Sequence, residues 1–266
     1  MDIVIVYHPK DILSLKHCVR GTKNIENVRN IYCVSKEHSG IIGTIFIDET
    51  IYPFSKKDIE GYVGPDRAGW YFQQLLKLYA YKYITGLSDT FLVLDSDAIF
   101  INPTKLIDID GLPFYSYSRY LHRPYFEHLQ KLLGLELQSE KSGVIHHMIF
   151  QKKYLMEIIE KVELIHSDVF WKSMMKCVSP NDYLQSGMSE YELYFNYMIK
   201  YHSDKIKIRH IPCKSIVEID NFKFTDLEDL SRFKNECDIL FAHTYLYKNL
   251  PKPPSIIRLV KSIFTT

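Results

Sequence analysis

At residues 91–100 the chain reads FLVLDSDAIF. An apolar run of strand length ends in Asp95 and Asp97, one residue apart, and then resumes. Two carboxylates at the mouth of a buried strand repel each other and favour a nearby cation. A hard divalent ion takes oxygen ligands and can join such carboxylates to phosphate oxygens. It would neutralise a departing diphosphate, which is Lewis-acid catalysis. A bare Asp-x-Asp arises often by chance, and either residue can serve as a turn former. Its place after a buried strand is what raises the metal reading.

Other polar residues fall at informative positions. Trp70, Gln73, Gln74 and Lys77 share one sector of a helix, since i, i+3, i+4 and i+7 lie on one face. Arg67 precedes them, and such cations and amides can grip a diphosphate and sugar hydroxyls. A solvated cation with structural glutamines is the plainer alternative. His146 and His147 are adjacent in a strand-like segment, so they face opposite sides and only one can reach a given pocket. An acceptor or phosphate contact suits one of them better than a paired metal clamp. Ser189 and Glu192 fit a capping box, with Glu192 reaching back from the third helical position. That leaves Glu190 freer to act as a general base on an acceptor hydroxyl. Tyr7, His8 and Asp11 follow the first apolar run, where Asp11 can equally cap a helix. Asp48 and Glu49 end another run and are weaker candidates. His243 closes the apolar run at residues 239–242, and a neutral imidazole is a reasonable ligand for Mn²⁺.

The elements that must hold these groups alternate. Strands are expected at residues 3–7, 30–35, 44–48 and 90–94, with helices at 11–20 and 70–85 and a Gly- and Pro-rich loop at 61–69. This pattern predicts a mostly parallel, mixed α/β sheet flanked by helices, with right-handed crossovers. Ligands of such sheets sit beyond the C-terminal strand ends. Further on, strands are expected at 115–121, 145–151, 206–211 and 238–243, and helices at 124–133, 154–166, 169–175 and 189–202. One domain over residues 1–250 is expected, about 1–105 serving the nucleotide sugar and 106–250 the acceptor. Residues 251–266 form a tail with a short basic amphipathic stretch, either docked on the core or touching an anionic membrane surface.

Composition narrows the class. The formal net charge is +1, without the basic surplus of a nucleic-acid binder. The five cysteines are scattered with no C-x-x-C pair, against a disulfide framework or a zinc site. The start lacks a signal-peptide pattern, and no apolar run nears the ~20 residues that span a bilayer. A cytosolic setting, in the cell or an infected host, is expected.

Six blocks in order carry a resemblance: VIVYHPKD (4–11), FIDET (46–50), RAGWYFQQLLKL (67–78), LDSD (94–97), SGVIHHM (142–148) and SEYELY (189–194). Together they resemble a family of GT-A-type glycosyltransferase-like proteins of large viruses, microbes and algae. The resemblance implies a GT-A-like fold and sugar transfer from a nucleotide-sugar donor, most commonly a UDP-sugar, to a carbohydrate or glycan-linked acceptor. It implies Mn²⁺ or Mg²⁺ held by Asp97 and His243, and directly or through water by Asp95. Donor contacts would come from Tyr7, His8, Asp11, Arg67, Gln73, Gln74, Lys77 and Ser96, with acceptor contacts from His146 and His147. Glu190 or Glu192 would be the catalytic base. A metal-dependent nucleotidyltransferase or phosphohydrolase, or an inactive nucleotide- or carbohydrate-binding module, are the alternatives.

Overall fold

The computed structural model describes residues 1–219 and 222–243. The expected tail at 251–266 lies outside them. The strands are β1 (Asp2–Val6), β2 (Ile31–Ser35), β3 (Ile45–Asp48), β4 (Thr90–Asp95), β5 (Ala98–Phe100), β6 (Phe114–Ser116), β7 (His147–Gln151), β8 (Lys207–Arg209), β9 (Cys213–Ser215) and β10 (Ile239–Phe241). The helices are α1 (Ile12–Gly21), α2 (Lys56–Val63), α3 (Pro65–Tyr83), α4 (Arg123–Leu133), α5 (Lys152–His166), α6 (Phe170–Lys176) and α7 (Glu190–Tyr201).

The main sheet runs β3-β2-β1-β4-β7, with the first four strands parallel and β7 antiparallel to β4. All five residues of β1 are buried, as are the central four of β4. Consecutive burial means that both sheet faces are covered, as parallel strands require. The chain leaves β1 toward β2 and β3, then returns to place β4 on the other side of β1. The C-terminal ends of β1 and β4 therefore flank the point where the strand order reverses, the usual crevice for a ligand. This is the expected mostly parallel α/β sheet flanked by helices.

Two small sheets complete the frame. β10 pairs antiparallel with β5 and parallel with β9, and β6 pairs parallel with β8. Beneath β5 and β10 a second apolar cluster gathers Ile99, Ile101, Ile216, Leu227, Phe233 and Leu240. Of these short strands, β5 and β9 were not anticipated. At three residues each, they carry too little periodicity to read.

Residues 61–69 correct the expectation of a loop. α2 runs through Val63 and α3 begins at Pro65, so Gly64 alone separates them. Gly64 has φ +76°, which a residue with a Cβ resists. Pro65 at the first helical position sacrifices only an N–H that has no intrahelical partner. Gly and Pro thus punctuate two abutting helices rather than open a loop. Ser55 and Asp58 make the capping box that starts α2. At Gly143 the reason for glycine is different. A Cβ there would lie 2.5 Å from Cβ of Phe195 on α7, so α7 can approach only a bare backbone.

α7 is buried from Glu190 through Met198 without interruption. A helix covered on every side runs through the core rather than over the surface. α3 contributes Tyr71, Phe72, Leu75, Leu76, Leu78 and Tyr79 to the same core.

The start of β1 is tied by a buried carboxylate. Asp2 accepts from Arg29 Nε at 2.8 Å, Ser88 N at 2.7 Å and Asn30 Nδ2 at 3.2 Å. Burial alone would raise its pKa, but the bonds from Arg29 and Ser88 outweigh burial and lower it from 3.8 to about 2. A depressed carboxylate contributes stability above its unfolded pKa and loses it as pH falls through the folded value. Asp2→Asn should cost about 2 kcal/mol at neutral pH. In urea unfolding, the gap to the parent chain should close as pH drops from 3.8 toward about 2. A gap that is unchanged across that window would refute the assignment.

Candidate metal centre at the ends of β4, β7 and β10

β4 delivers Asp95, and a tight turn at Ser96–Asp97 leads into β5. Two antiparallel pairings bring distant residues to this turn. β7 runs against β4 with Leu94 opposite His147, so His146 falls beside Asp95, whose N–H donates to the His146 carbonyl at 2.9 Å. β10 runs against β5 with Phe241 opposite Ala98, and the Ala242 N–H donates to the Asp97 carbonyl at 2.8 Å. His243 thereby arrives at the same turn. One donor atom from each of Asp97, His146 and His243 lies within 4.8 Å of the others, and all three residues are half-buried.

The packing around this trio is aromatic and polar. The His146 ring lies 5.0 Å from that of His243 and 4.4 Å from that of Phe241. His243 Nδ1 is 3.2 Å from Ser215 Oγ. His146 has φ +60°, a left-handed conformation that costs a residue with a Cβ about 1–2 kcal/mol. Such outliers gather at functional sites, where surrounding structure enforces them. Burial, then the neighbouring Asp95, raise the Asp97 pKa against the pull of the two imidazoles. A carboxylate whose charge is resisted this way is suited to a cation.

Behind the trio lies a buried ionic network. Lys77 on α3 is 4% exposed. Its ammonium pairs with Asp95 Oδ1 and, at 2.6 Å, with Glu190 Oε1, and sits 4.6 Å from the Tyr191 ring centre. Burial opposes the Lys77 charge, but Asp95 and Glu190 prevail and hold its pKa above the ordinary lysine value. Asp95 also accepts from the Tyr191 hydroxyl at 2.8 Å and pairs with His146 Nδ1 at 2.9 Å. Burial raises its pKa, yet Lys77 and then His146 bring it below the usual carboxylate range.

Several sequence expectations change here. Lys77 does not present its charge to an open donor cleft, because its place within the apolar run LLKLYA turns it into the core, where it needs carboxylates. Glu190 is 1% exposed and Glu192 fully buried, so neither meets an acceptor hydroxyl as it stands. Ser189 does cap α7 by accepting from Glu192 N at 3.2 Å. The Glu192 carboxylate does not reach back; it takes the Ser142 hydroxyl, Gly143 N at 3.2 Å and Asn196 Nδ2 at 2.9 Å. Those donors make it a brace between α7 and the segment before β7. His147 is also internal, bonded to Ile145 O at 2.9 Å and Ser116 Oγ at 3.2 Å, and burial lowers its pKa to about 4. It has no acceptor-facing position, while its neighbour His146 joins the trio.

Donor-side residues divide similarly. Tyr7 is 3% exposed and its hydroxyl donates to the Glu37 carbonyl, so its ring is core and does not offer a stacking face. His8 is exposed and accepts from Lys10 N at 3.1 Å. Asp11 makes no side-chain capping bond to α1. Its pKa is raised by burial and by the nearby Asp97. Arg67 donates to Ser186 Oγ and lies 5.0 Å over Trp70. Gln73 and Ser96 are half-buried, and Gln74 is buried with Oε1 3.4 Å from Glu190 N. Sequence reasoning missed Tyr191 and the network role of Lys77. The signal for the latter was a lone lysine amid leucines.

Lys77→Met would leave Asp95 and Glu190 buried without their shared ammonium. Breaking a buried pair from one side costs about 3 kcal/mol or more. Adding Glu190→Gln to that chain should recover part of the loss, because one unpaired charge goes with it. Denaturant midpoints of the parent chain and these two variants measure this. A single-variant loss below about 1 kcal/mol would contradict the network.

Comparison with known proteins adds the following. No curated protein matches the chain. Among solved structures, the galactosyltransferase LgtC in complex with donor and acceptor sugar analogs aligns at 12% identity, covering 91% of this chain and 87% of that one, with a TM-score of 0.47. The apo form of mouse xyloside xylosyltransferase 1 aligns at 10% identity over 94% of this chain and all of that one, with a TM-score of 0.43. A family model described as a family of unknown function, DUF6492, matches residues 4–238, and the chain belongs to that family.

Proposed function

We propose that the protein is a divalent-metal-assisted glycosyltransferase that moves a sugar from a nucleotide-sugar donor, a UDP-sugar by preference, to a carbohydrate hydroxyl. The observation that carries this reading is the meeting of Asp97, His146 and His243 at the turn after β4, beside the strand-order reversal. One carboxylate and two imidazoles fit a first-row divalent ion, and two nitrogen donors favour Mn²⁺ over Mg²⁺. The bound ion would neutralise the diphosphate leaving group. The six sequence blocks that resemble GT-A-type transferases support the same reaction class.

The chain's own residues then have distinct tasks. Asp97, His146 and His243 hold the ion. Asp11, at the end of the β1 segment, accepts from the donor's nucleoside, and Ser96 lies at the turn where the diphosphate would pass. Gln73 is half-buried and Arg67 half-buried beside Ser186, and both are available on the donor side of α3. Lys77, Asp95, Glu190 and Glu192 keep the supporting frame charged, paired and dry. No helix of the described residues is long and apolar enough to cross a membrane, which is compatible with the cytosolic setting read from the sequence.

The experiment is a screen of nucleotide sugars with Mn²⁺, reading thermal stabilisation and release of nucleoside diphosphate. Stabilisation and release should both require metal and vanish with chelator. Asp97→Ala should lower turnover on the order of 10³-fold, the scale of several kcal/mol of lost charge stabilisation. Release of pyrophosphate or nucleoside monophosphate instead would point to attack at phosphorus and to the nucleotidyltransferase or phosphohydrolase class. Undiminished turnover in chelator would sink the metal reading.

A further inference from the structure

One carboxylate of the Asp-Ser-Asp run stands outside the metal trio. Both oxygens of Asp95 are engaged. Oδ1 accepts from the Tyr191 hydroxyl at 2.8 Å and from Lys77 Nζ, and Oδ2 pairs with His146 Nδ1 at 2.9 Å. The Asp95 N–H also donates to the His146 carbonyl at 2.9 Å. Asp95 thus grips His146 by both its ring and its backbone. With Nδ1 turned to Asp95, Nε2 is the ring nitrogen left for the cluster with Asp97 and His243.

We propose that Asp95 is a positioning residue that acts through His146 rather than a direct metal ligand. It accepts the His146 Nδ1–H, selects the tautomer whose Nε2 lone pair can bind a cation, and is itself anchored by Lys77 and Tyr191. The proposal rests on the reading of the trio as a metal centre and goes further by dividing the two aspartates into different roles. A carboxylate that fixes the tautomer and tilt of a ligating imidazole also raises its basicity. Here the need for such a hold is unusual. His146 is left-handed and precedes β7, so strand pairing alone does not fix its ring. The anchors on Asp95 come from α3 and α7, two helices at the core, and resist a swing of the carboxylate toward an ion.

Two measurements decide this. The first uses the unaltered protein without metal, ¹⁵N-labelled at histidine, at a pH high enough that the ring signals no longer move with pH. The His146 signal, assigned by its loss in His146→Gln, should report a protonated Nδ1 and a bare Nε2. The opposite tautomer overturns the proposal, and no altered chain needs to fold for the result to count beyond that assignment. The second titrates Mn²⁺ by electron paramagnetic resonance into the parent, Asp95→Asn and Asp97→Asn chains, with Co²⁺ absorption spectra alongside. Asparagine keeps the size of Asp95 but has one acceptor oxygen for two sets of donors. Asp95→Asn should weaken Mn²⁺ binding about 10–100-fold while keeping the parent's Co²⁺ band positions, and Asp97→Asn should weaken it more and shift the bands. Equal losses in the two variants, with shifted Co²⁺ bands in both, would make Asp95 a ligand and defeat this proposal alone. No Mn²⁺ or Co²⁺ binding by the parent chain would defeat the metal reading and this proposal with it, whatever the tautomer.

Discussion

The Lys77 ammonium, buried between Asp95 and Glu190, constrains everything around it. Removing three charges from water is costly, and only close pairing with complementary donors makes it tolerable. The three residues belong to α3, to β4 that follows it directly, and to α7, which lies far along the chain. Once the ammonium is in place, α3 cannot rotate, the end of β4 cannot slide, and the first turn of α7 cannot retreat without leaving a bare charge in the core. Gly143 and Glu192 add a second restraint on α7. The absent Cβ at Gly143 lets the helix approach, and its N–H then bonds the Glu192 carboxylate. These contacts explain how a helix as acidic at its start as α7 can be buried from Glu190 through Met198: each carboxylate accepts from at least one donor on another element.

Much of the frame was legible in the sequence because it is local. β1 and β4 are continuous apolar runs, α3 has a clear stripe, and the Asp-Ser-Asp turn follows β4 directly. The trio at the candidate metal centre was legible only in part. Asp97 and His243 each terminate an apolar run, which is a local signal. His146 is brought to them by the antiparallel return of β7 and by a left-handed backbone at the residue before that strand. Pairing direction and φ sign are tertiary facts that alternation along the chain does not encode. The two histidines do part, one toward the turn and the other against Ser116, but through the left-handed backbone at His146 rather than through strand alternation.

Four of the expected ligand-facing residues share a feature. Tyr7, Lys77, Glu190 and Glu192 have chemistry that suits ligands, and each has an internal partner in the structure. A polar group in an apolar neighbourhood must be satisfied somewhere, and in these four cases the partner is internal. Glu192 shows how near two readings can lie. Ser189 caps α7 as the motif predicts, yet the reciprocal bond is absent, because Ser142, Gly143 and Asn196 together offer the carboxylate more than one N-cap amide can. Gly64 and Pro65 were misread for a different reason. Both residues break helices in the interior and favour them at the ends, so the same pair fits a loop or a junction of two helices.

The charge balance links the buried frame to the open site. Glu190, Asp95 and Asp97 oppose the single ammonium of Lys77, so with neutral imidazoles the cluster keeps two negative charges, the amount that one divalent ion supplies. Lys77 pairs with Asp95 and with one oxygen of Glu190, while Glu190 Oε2 stays buried without a hydrogen-bond partner and Asp97 lies outside the pairing. That asymmetry has a chemical consequence. A divalent ion at this candidate centre would be held by Asp97, His146 and His243 and would supply the missing positive charge.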